Sequence, residues 1–206
     1  MPNLIPSRKQ VAVRIVYVGP GVGGKTTNLR KIHAQFPEFR MAELATAGER
    51  TLGGDMLPVA LGADRIGDGW EVKVSLSSVP GQLQYAESRA GVLKNADVVV
   101  FVADSNPRRM DANQYALTDL RALLEAEGRD PATTPFVLQY NKCDLSDAIP
   151  VEEMDERLNP GGAPALAAVA LEGVGVFETL REALELGVSV ARRYLAQVQP
   201  PPVPAG

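Results

Sequence analysis

The 206-residue chain has one cysteine, Cys143, and one histidine, His33. A lone cysteine excludes a disulfide within the chain and a cysteine-based zinc site, and a lone histidine without companions makes no metal centre. Positive charge is also short. Twenty-one Lys and Arg against 25 Asp and Glu leave a net charge of −4, which argues against a nucleic-acid binder held by a general basic field. Apolar runs are brief: the longest obvious one, Val98–Ala103, is bounded by Asp97 and Asp104, far below the roughly 20 residues a membrane helix needs. The first residues lack the apolar core of a secretory signal, Pro2 excludes N-myristoylation, and the last residues hold no cysteine to prenylate. The expectation is a soluble, cytoplasmic chain without a membrane anchor.

What is present suits one globular domain: 45% apolar and 22% charged side chains over 206 residues bury a core without a covalent staple. Short β-branched runs alternate with longer helix-like stretches, the pattern of an α/β fold. Strands are expected over 11–18, 57–61, 70–77, 96–103, 136–140 and 166–170, and helices over 25–35, 111–127 and about 177–195. Residues 38–55 carry no clear periodicity and read as a loop. Gly67-Asp68-Gly69 favours an antiparallel hairpin between the second and third strands. The expected fold is a mostly parallel six-stranded sheet with helices on both faces and one antiparallel hairpin. It spans 10–197, with a short extension at 1–9 and a proline-rich, disordered tail at 198–206.

Chemistry concentrates first in Gly19-Pro20-Gly21-Val22-Gly23-Gly24-Lys25-Thr26, which matches G-x-x-x-x-G-K-[ST] between a strand and a helix. Glycines let the backbone curl so that N–H groups point inward at a polyphosphate. The helix beginning at Lys25 adds the positive end of its dipole. Lys25 is placed to reach the β- and γ-phosphates, the Thr26 hydroxyl to ligate Mg²⁺, and Thr27 follows in the same helical turn. This is the P-loop of a nucleotide-binding fold.

Asn141-Lys142-Cys143-Asp144 follows the 136–140 strand, where an open α/β sheet places a ligand. The Asp144 carboxylate can accept the N1–H and N2–H₂ donors of guanine, which adenine lacks, so a mismatch leaves a buried acceptor unpaired. Lys142 can lay its apolar stem along the base. Val79-Pro80-Gly81-Gln82 offers a backbone N–H at Gly81 for a γ-phosphate and a side chain at Gln82 to orient the attacking water. The loop from Ala170 and Leu171 to Gly173 can present an N–H to the guanine O6. Arg108-Arg109, after Asn106-Pro107, reads as a solvated face.

Taken in order, Gly19–Thr26, VPGQ at 79–82, NKCD at 141–144 and Ala170 resemble the motifs of Ras-like small GTPases, and more closely the bacterial MglA type of gliding-motility and cell-polarity GTPases. Glu49-Arg50-Thr51-Leu52 and Gly175-Val176-Phe177-Glu178-Thr179-Leu180 carry the same likeness, which runs from about Val11 to Tyr194. The resemblance implies a switch that binds GTP or GDP with Mg²⁺ and hydrolyses GTP. Thr51 matches the threonine of the first switch, whose hydroxyl and backbone close on Mg²⁺ and the γ-phosphate, with Thr46 the alternative. Arg50 matches an arginine finger carried in the chain itself, able to spread transition-state charge. Slow intrinsic turnover, an effector and an activating protein of the roadblock (MglB-like) type are also implied.

Two positions depart from the Ras pattern. Ser78 stands where most Ras-like chains have an aspartate near Mg²⁺, as MglA-like chains also lack it, and Asp55 is the nearest acidic substitute. Gly53-Gly54 replaces the bulky aromatic residues expected in MglA-like chains, removing side chains a partner would grip. These departures keep open a guanine-nucleotide-binding scaffold with little hydrolysis. A P-loop nucleotide kinase is the weaker alternative, since no arginine-rich lid is found.

Overall fold

In the computed structural model, residues 2–37, 41–46, 49–54, 66, 69–79 and 86–198 are described, with backbone alone for 41–46, 49–54 and 86–89. The strands are β1 (Asn3–Ile5), β2 (Gln10–Val18), β3 (Met41–Thr46), β4 (Glu49–Gly54), β5 (Glu71–Ser78), β6 (Val98–Asp104), β7 (Phe136–Asn141) and β8 (Ala165–Ala168). The helices are α1 (Lys25–Gln35), α2 (Ala86–Leu93), α3 (Met110–Ala126), α4 (Val151–Leu158) and α5 (Val176–Val198).

All eight strands join one sheet in the order β3-β4-β5-β2-β6-β7-β8, with β1 antiparallel to β2 off this path. The run β5-β2-β6-β7-β8 is parallel, and β4 meets β5 antiparallel through Gly53 and Ser77. The mostly parallel sheet is therefore the expected one, a six-strand run from β4 to β8 lengthened by β3 and β1. Strand β2 lies between β5 and β6, so the chain leaves β2 where the connections turn to opposite sides, the crevice in which such sheets bind ligands.

Burial explains why the strands read as unbroken apolar runs. Val11, Val13, Ile15 and Tyr17 of β2, with Val98, Val100 and Val102 of β6, pack against Leu29 and Ile32 of α1 and Leu180, Ala183 and Ala191 of α5. The alternate residues Val16, Val18, Val99, Phe101 and Ala103 pack against Leu117, Leu120 and Leu124 of α3 and Met154 and Leu158 of α4. A strand covered on both faces has no polar side, so the twofold alternation of a half-exposed strand disappears.

Several expectations change. The 38–55 stretch is not a plain loop: β3 and β4 pair antiparallel from Met41↔Gly54 to Thr46↔Glu49. The strand expected at 57–61 lies outside the described residues, and the antiparallel neighbour of β5 is β4. Helix α2 occupies Ala86–Leu93, where the sequence pattern suggests no element. Asn3–Ile5, set apart as an extension, pairs with Gln10–Ala12. The last strand ends at Ala168, which leaves Ala170 in a turn. Helix α4 was not anticipated. Of the tail, Val198 closes α5, and 199–206 lie outside the described residues.

Candidate functional site

The P-loop leaves β2 at Gly19 and enters α1 at Lys25. Gly19 has φ +133°, and a Cβ there would sit 2.2 Å from the carbonyl oxygen of Val102. Gly24 has φ +106°, and a Cβ there would sit 2.0 Å from Asn141 Nδ2. Both positions thus demand glycine for conformation and for space. No side chain caps α1 at Gly24, so its first-turn amides and dipole are directed at whatever occupies the cradle. Lys25 is 6% exposed, and its ammonium donates to the carbonyls of Gly19 at 2.9 Å and Pro20 at 2.7 Å, bridging the loop. Thr26 and Thr27 occupy the first turn of α1, half-buried.

Asn141 ties this loop to the other end of the site. Its Nδ2 donates to the Gly23 carbonyl at 2.8 Å, and its Oδ1 accepts the Ala170 N–H at 2.8 Å. The last residue of β7 thereby joins the P-loop to the loop after β8. Lys142 takes a left-handed φ of +68° and sends its ammonium to Asp104 Oδ2 at 2.6 Å. Cys143 is packing and turn material, its Sγ 3.1 Å from the Tyr140 carbonyl. Asp144 is exposed, as is Leu171 beside Ala170. Gly21 and the exposed Val22 complete the rim of the loop.

Arg50 and Thr51 lie in β4, their backbones paired with Ala45 and Leu44 of β3, and Thr46 ends β3. Asp55, Gly81 and Gln82 lie outside the described residues. Ser78 is 2% exposed and registers with Tyr17 near the end of β2, so it stands at the sheet edge that carries the P-loop. Among the described residues, no three His, Cys, Asp or Glu side chains cluster as metal ligands.

The sequence reading missed three contributors. Arg109 is no simple solvated face: its guanidinium donates to the Gly21 carbonyl at 2.8 Å. Asp104, 1% exposed, receives Lys142 and the Asn106 N–H. The available signal was an acid ending a buried strand beside the P-loop strand, followed by an arginine pair. Gln139, fully buried, exchanges hydrogen bonds with Asn28 of α1 at 2.7 and 3.0 Å and donates to Thr179 of α5 at 2.8 Å.

The chain is 45% identical over 183 residues to the mutual gliding-motility protein MglA of Myxococcus xanthus, an alignment covering 87% of this chain and 92% of that one. The chain belongs to the MglA family of Ras-like small GTPases. A more distant likeness extends to Rab-type GTPases: the Ypt/Rab-type GTPase ypt7 of Pyricularia oryzae is 26% identical over 93% of this chain and 86% of its own. The Ras-related protein Rab-7a of Dictyostelium discoideum is 25% identical over 97% of both. No protein-family model matches the chain. Among the described residues of this MglA-family chain, no helix is long and apolar enough to cross a membrane.

Proposed function

We propose that the chain is a GTP-hydrolysing molecular switch that regulates cell polarity or motility in the cytoplasm. The observation that carries this reading is Asn141, which binds the P-loop at Gly23 and the base-side loop at Ala170. A phosphate grip and a base grip built as one unit suit a ligand with phosphate at one end and purine at the other. The cradle fits phosphate oxygens, because Gly19 and Gly24, packed too tightly on the Val102 carbonyl and the Asn141 amide to carry a Cβ, let the backbone curl with its N–H groups facing inward. The Gly19, Gly21, Val22, Gly23, Gly24, Lys25, Thr26 and Thr27 segment holds the phosphates, with Gly81 at the γ-position. Asn141, Lys142, Asp144, Ala170 and Leu171 surround the base. The Thr26 hydroxyl in the first turn of α1 suits Mg²⁺ held by hydroxyl and phosphate oxygens. Thr26 and Thr51, with Asp55 four residues further along the sequence, are the residues that would hold it. When bound, the ion offsets negative charge on the phosphates.

Gln82 orients the attacking water and Arg50 spreads the charge that develops on the γ-phosphate. Both must be drawn together with Thr51, so turnover is slow until a partner orders them. An effector reads the ordered switch segments, and an activating protein of the roadblock (MglB-like) type stabilises them, gripping a surface altered by Gly53-Gly54. Single-turnover hydrolysis tests the catalytic roles: Gln82→Ala and Arg50→Ala slow it while GDP affinity stays near wild type. Unchanged rates in both variants reject them. Competition between GTP and ATP tests Asp144, and equal affinities reject guanine selection. The buried Ser78, where a Ras-type carboxylate would stand, favours one second reading, a guanine-nucleotide scaffold that hydrolyses little. Phosphate release with and without candidate partners separates the two.

A further inference from the structure

The P-loop contains a β-branched residue in a left-handed backbone. Val22 has φ +55° and is 80% exposed, so its side chain gains little from packing. A non-glycine residue holds such a conformation only where its surroundings fix it. The residue just before it supplies the fixture: the Gly21 carbonyl accepts a hydrogen bond from Arg109 at 2.8 Å. In a trans peptide the C=O and N–H of one unit point in opposite directions. Gly21 C=O and Val22 N–H share one unit, so a carbonyl held toward Arg109 turns the Val22 N–H away from it.

Arg109 is itself held. It ends the turn Pro107–Arg109, which Asn106 caps by accepting the Arg108 N–H at 3.0 Å. Asp104 accepts the Asn106 N–H at 3.1 Å and lies 3.9 Å from Arg109 Nε. The Asn106 N–H goes to Oδ1, while Oδ2, the oxygen paired with Arg109, receives Lys142 at 2.6 Å. Because β6 runs parallel beside β2, the turn leaving β6 emerges next to the loop leaving β2. One buried acid thus organises a cation on the P-loop and a cation of the base motif.

We infer that Arg109 is a positioning residue for the bound nucleotide, fixing the Gly21–Val22 peptide so that the Val22 N–H faces the phosphates and nucleotide release is slow. The inference rests on the guanine-nucleotide reading above. With Arg109 removed, Val22 relaxes toward negative φ, the peptide turns, and a phosphate donor is lost. With glycine at position 22 that relaxation loses most of its drive, because glycine adopts positive φ without strain.

Release of a fluorescent GDP from the full-length chain, chased with excess GDP, reads this out. Arg109→Ala is expected to release about tenfold faster, the size of one lost charge-assisted hydrogen bond. Arg109→Lys keeps a cation but not the fork, and falls between. In a Val22→Gly background the Arg109→Ala acceleration shrinks severalfold. A residue that only braced the start of α3 would give the same acceleration in both backgrounds and no rescue by lysine, and that result overturns the inference. Wild-type release rates in both Arg109 variants overturn it as well. If alanine at 109 does not fold, the lysine variant in the two Val22 backgrounds decides alone. A wild-type chain that binds GTP and GDP no better than ATP and ADP defeats the parent reading, whereas unchanged release from a chain that does bind GDP defeats this one only.

Discussion

Gly24 and Asn141 stand so close that a single added carbon at Gly24 would lie 2.0 Å from the Asn141 amide nitrogen. The first residue of the helix entry and the last residue of β7 therefore exclude any side chain between them. Gly24→Ala is expected to cost about 2–4 kcal/mol, from the clash together with the left-handed φ. Thermal melting measures it. Adding Asn141→Ala relieves the clash but not the φ of +106°, so the double variant stays below wild type. Full recovery in the double variant would show that backbone strain at Gly24 is negligible.

Asn141→Ala alone leaves the Gly23 carbonyl and the Ala170 N–H without their side-chain partner. Buried groups orphaned in this way cost about 1–3 kcal/mol each. The expected result is a lower melting temperature with faster amide exchange at Ala170 than at the centre of β6. An Ala170 amide that stays as protected as in wild type argues against the bridge.

Asp104→Asn retains an acceptor for the Asn106 N–H but removes the charge facing Lys142 and Arg109. Since Lys142 is about one-third exposed, the expected stability loss is modest, about 1 kcal/mol. GDP release is expected to quicken in the same direction as with Arg109→Ala. The two substitutions together give less than the product of their separate effects, since they act on one cluster. Strictly multiplicative rates would separate the acid from the arginine.

Asp97 provides a pH test remote from the nucleotide site. It is 4% exposed, and its Oδ2 accepts the Arg14 N–H at 2.8 Å. Burial raises its pKa above the usual carboxylate value, and the Arg14 hydrogen bond offsets only part of the rise. Between the ordinary and the raised value the folded chain binds more protons than the unfolded one. Its contribution to stability therefore falls as pH rises through that window. Asp97→Asn keeps an acceptor for Arg14 without the charge. Its melting temperature relative to wild type is expected to climb from about pH 4 to about pH 7. A difference that narrows over the same range contradicts the assignment.

How much of this was legible in the sequence depended on whether the signal was local. The β2, β6 and β7 runs are apolar on both faces, and α3 and α5 repeat their apolar positions long enough to be read. Strands β3 and β4 were invisible, since MAELAT and ERTLGG offer little β-branched character and the second ends in two glycines. The pairing of β3 with β4, and of β4 with β5, replaces the missing propensity. Helix α4 has Glu152 and Glu153 in its first turn and Arg157 in its last, but eight residues are too few for a period to stand out. The P-loop and NKCD stretches were legible because a short backbone segment must carry out a fixed task. Arg109 was not, because its role depends on two strands leaving the sheet side by side.

The polar knot beneath the site has a consequence for metrology. Gln139 is wholly buried, clasps Asn28 through a reciprocal amide pair and reaches Thr179, and it lies two residues before Asn141. Asn28 lies three residues after Lys25 and also donates to the Gly24 carbonyl at 3.1 Å. The gap between the two jaws is therefore gauged from below by directional bonds in the core, as a caliper is set by its beam and not by its tips. Surface loops can drift through evolution or through a catalytic cycle while that calibration persists.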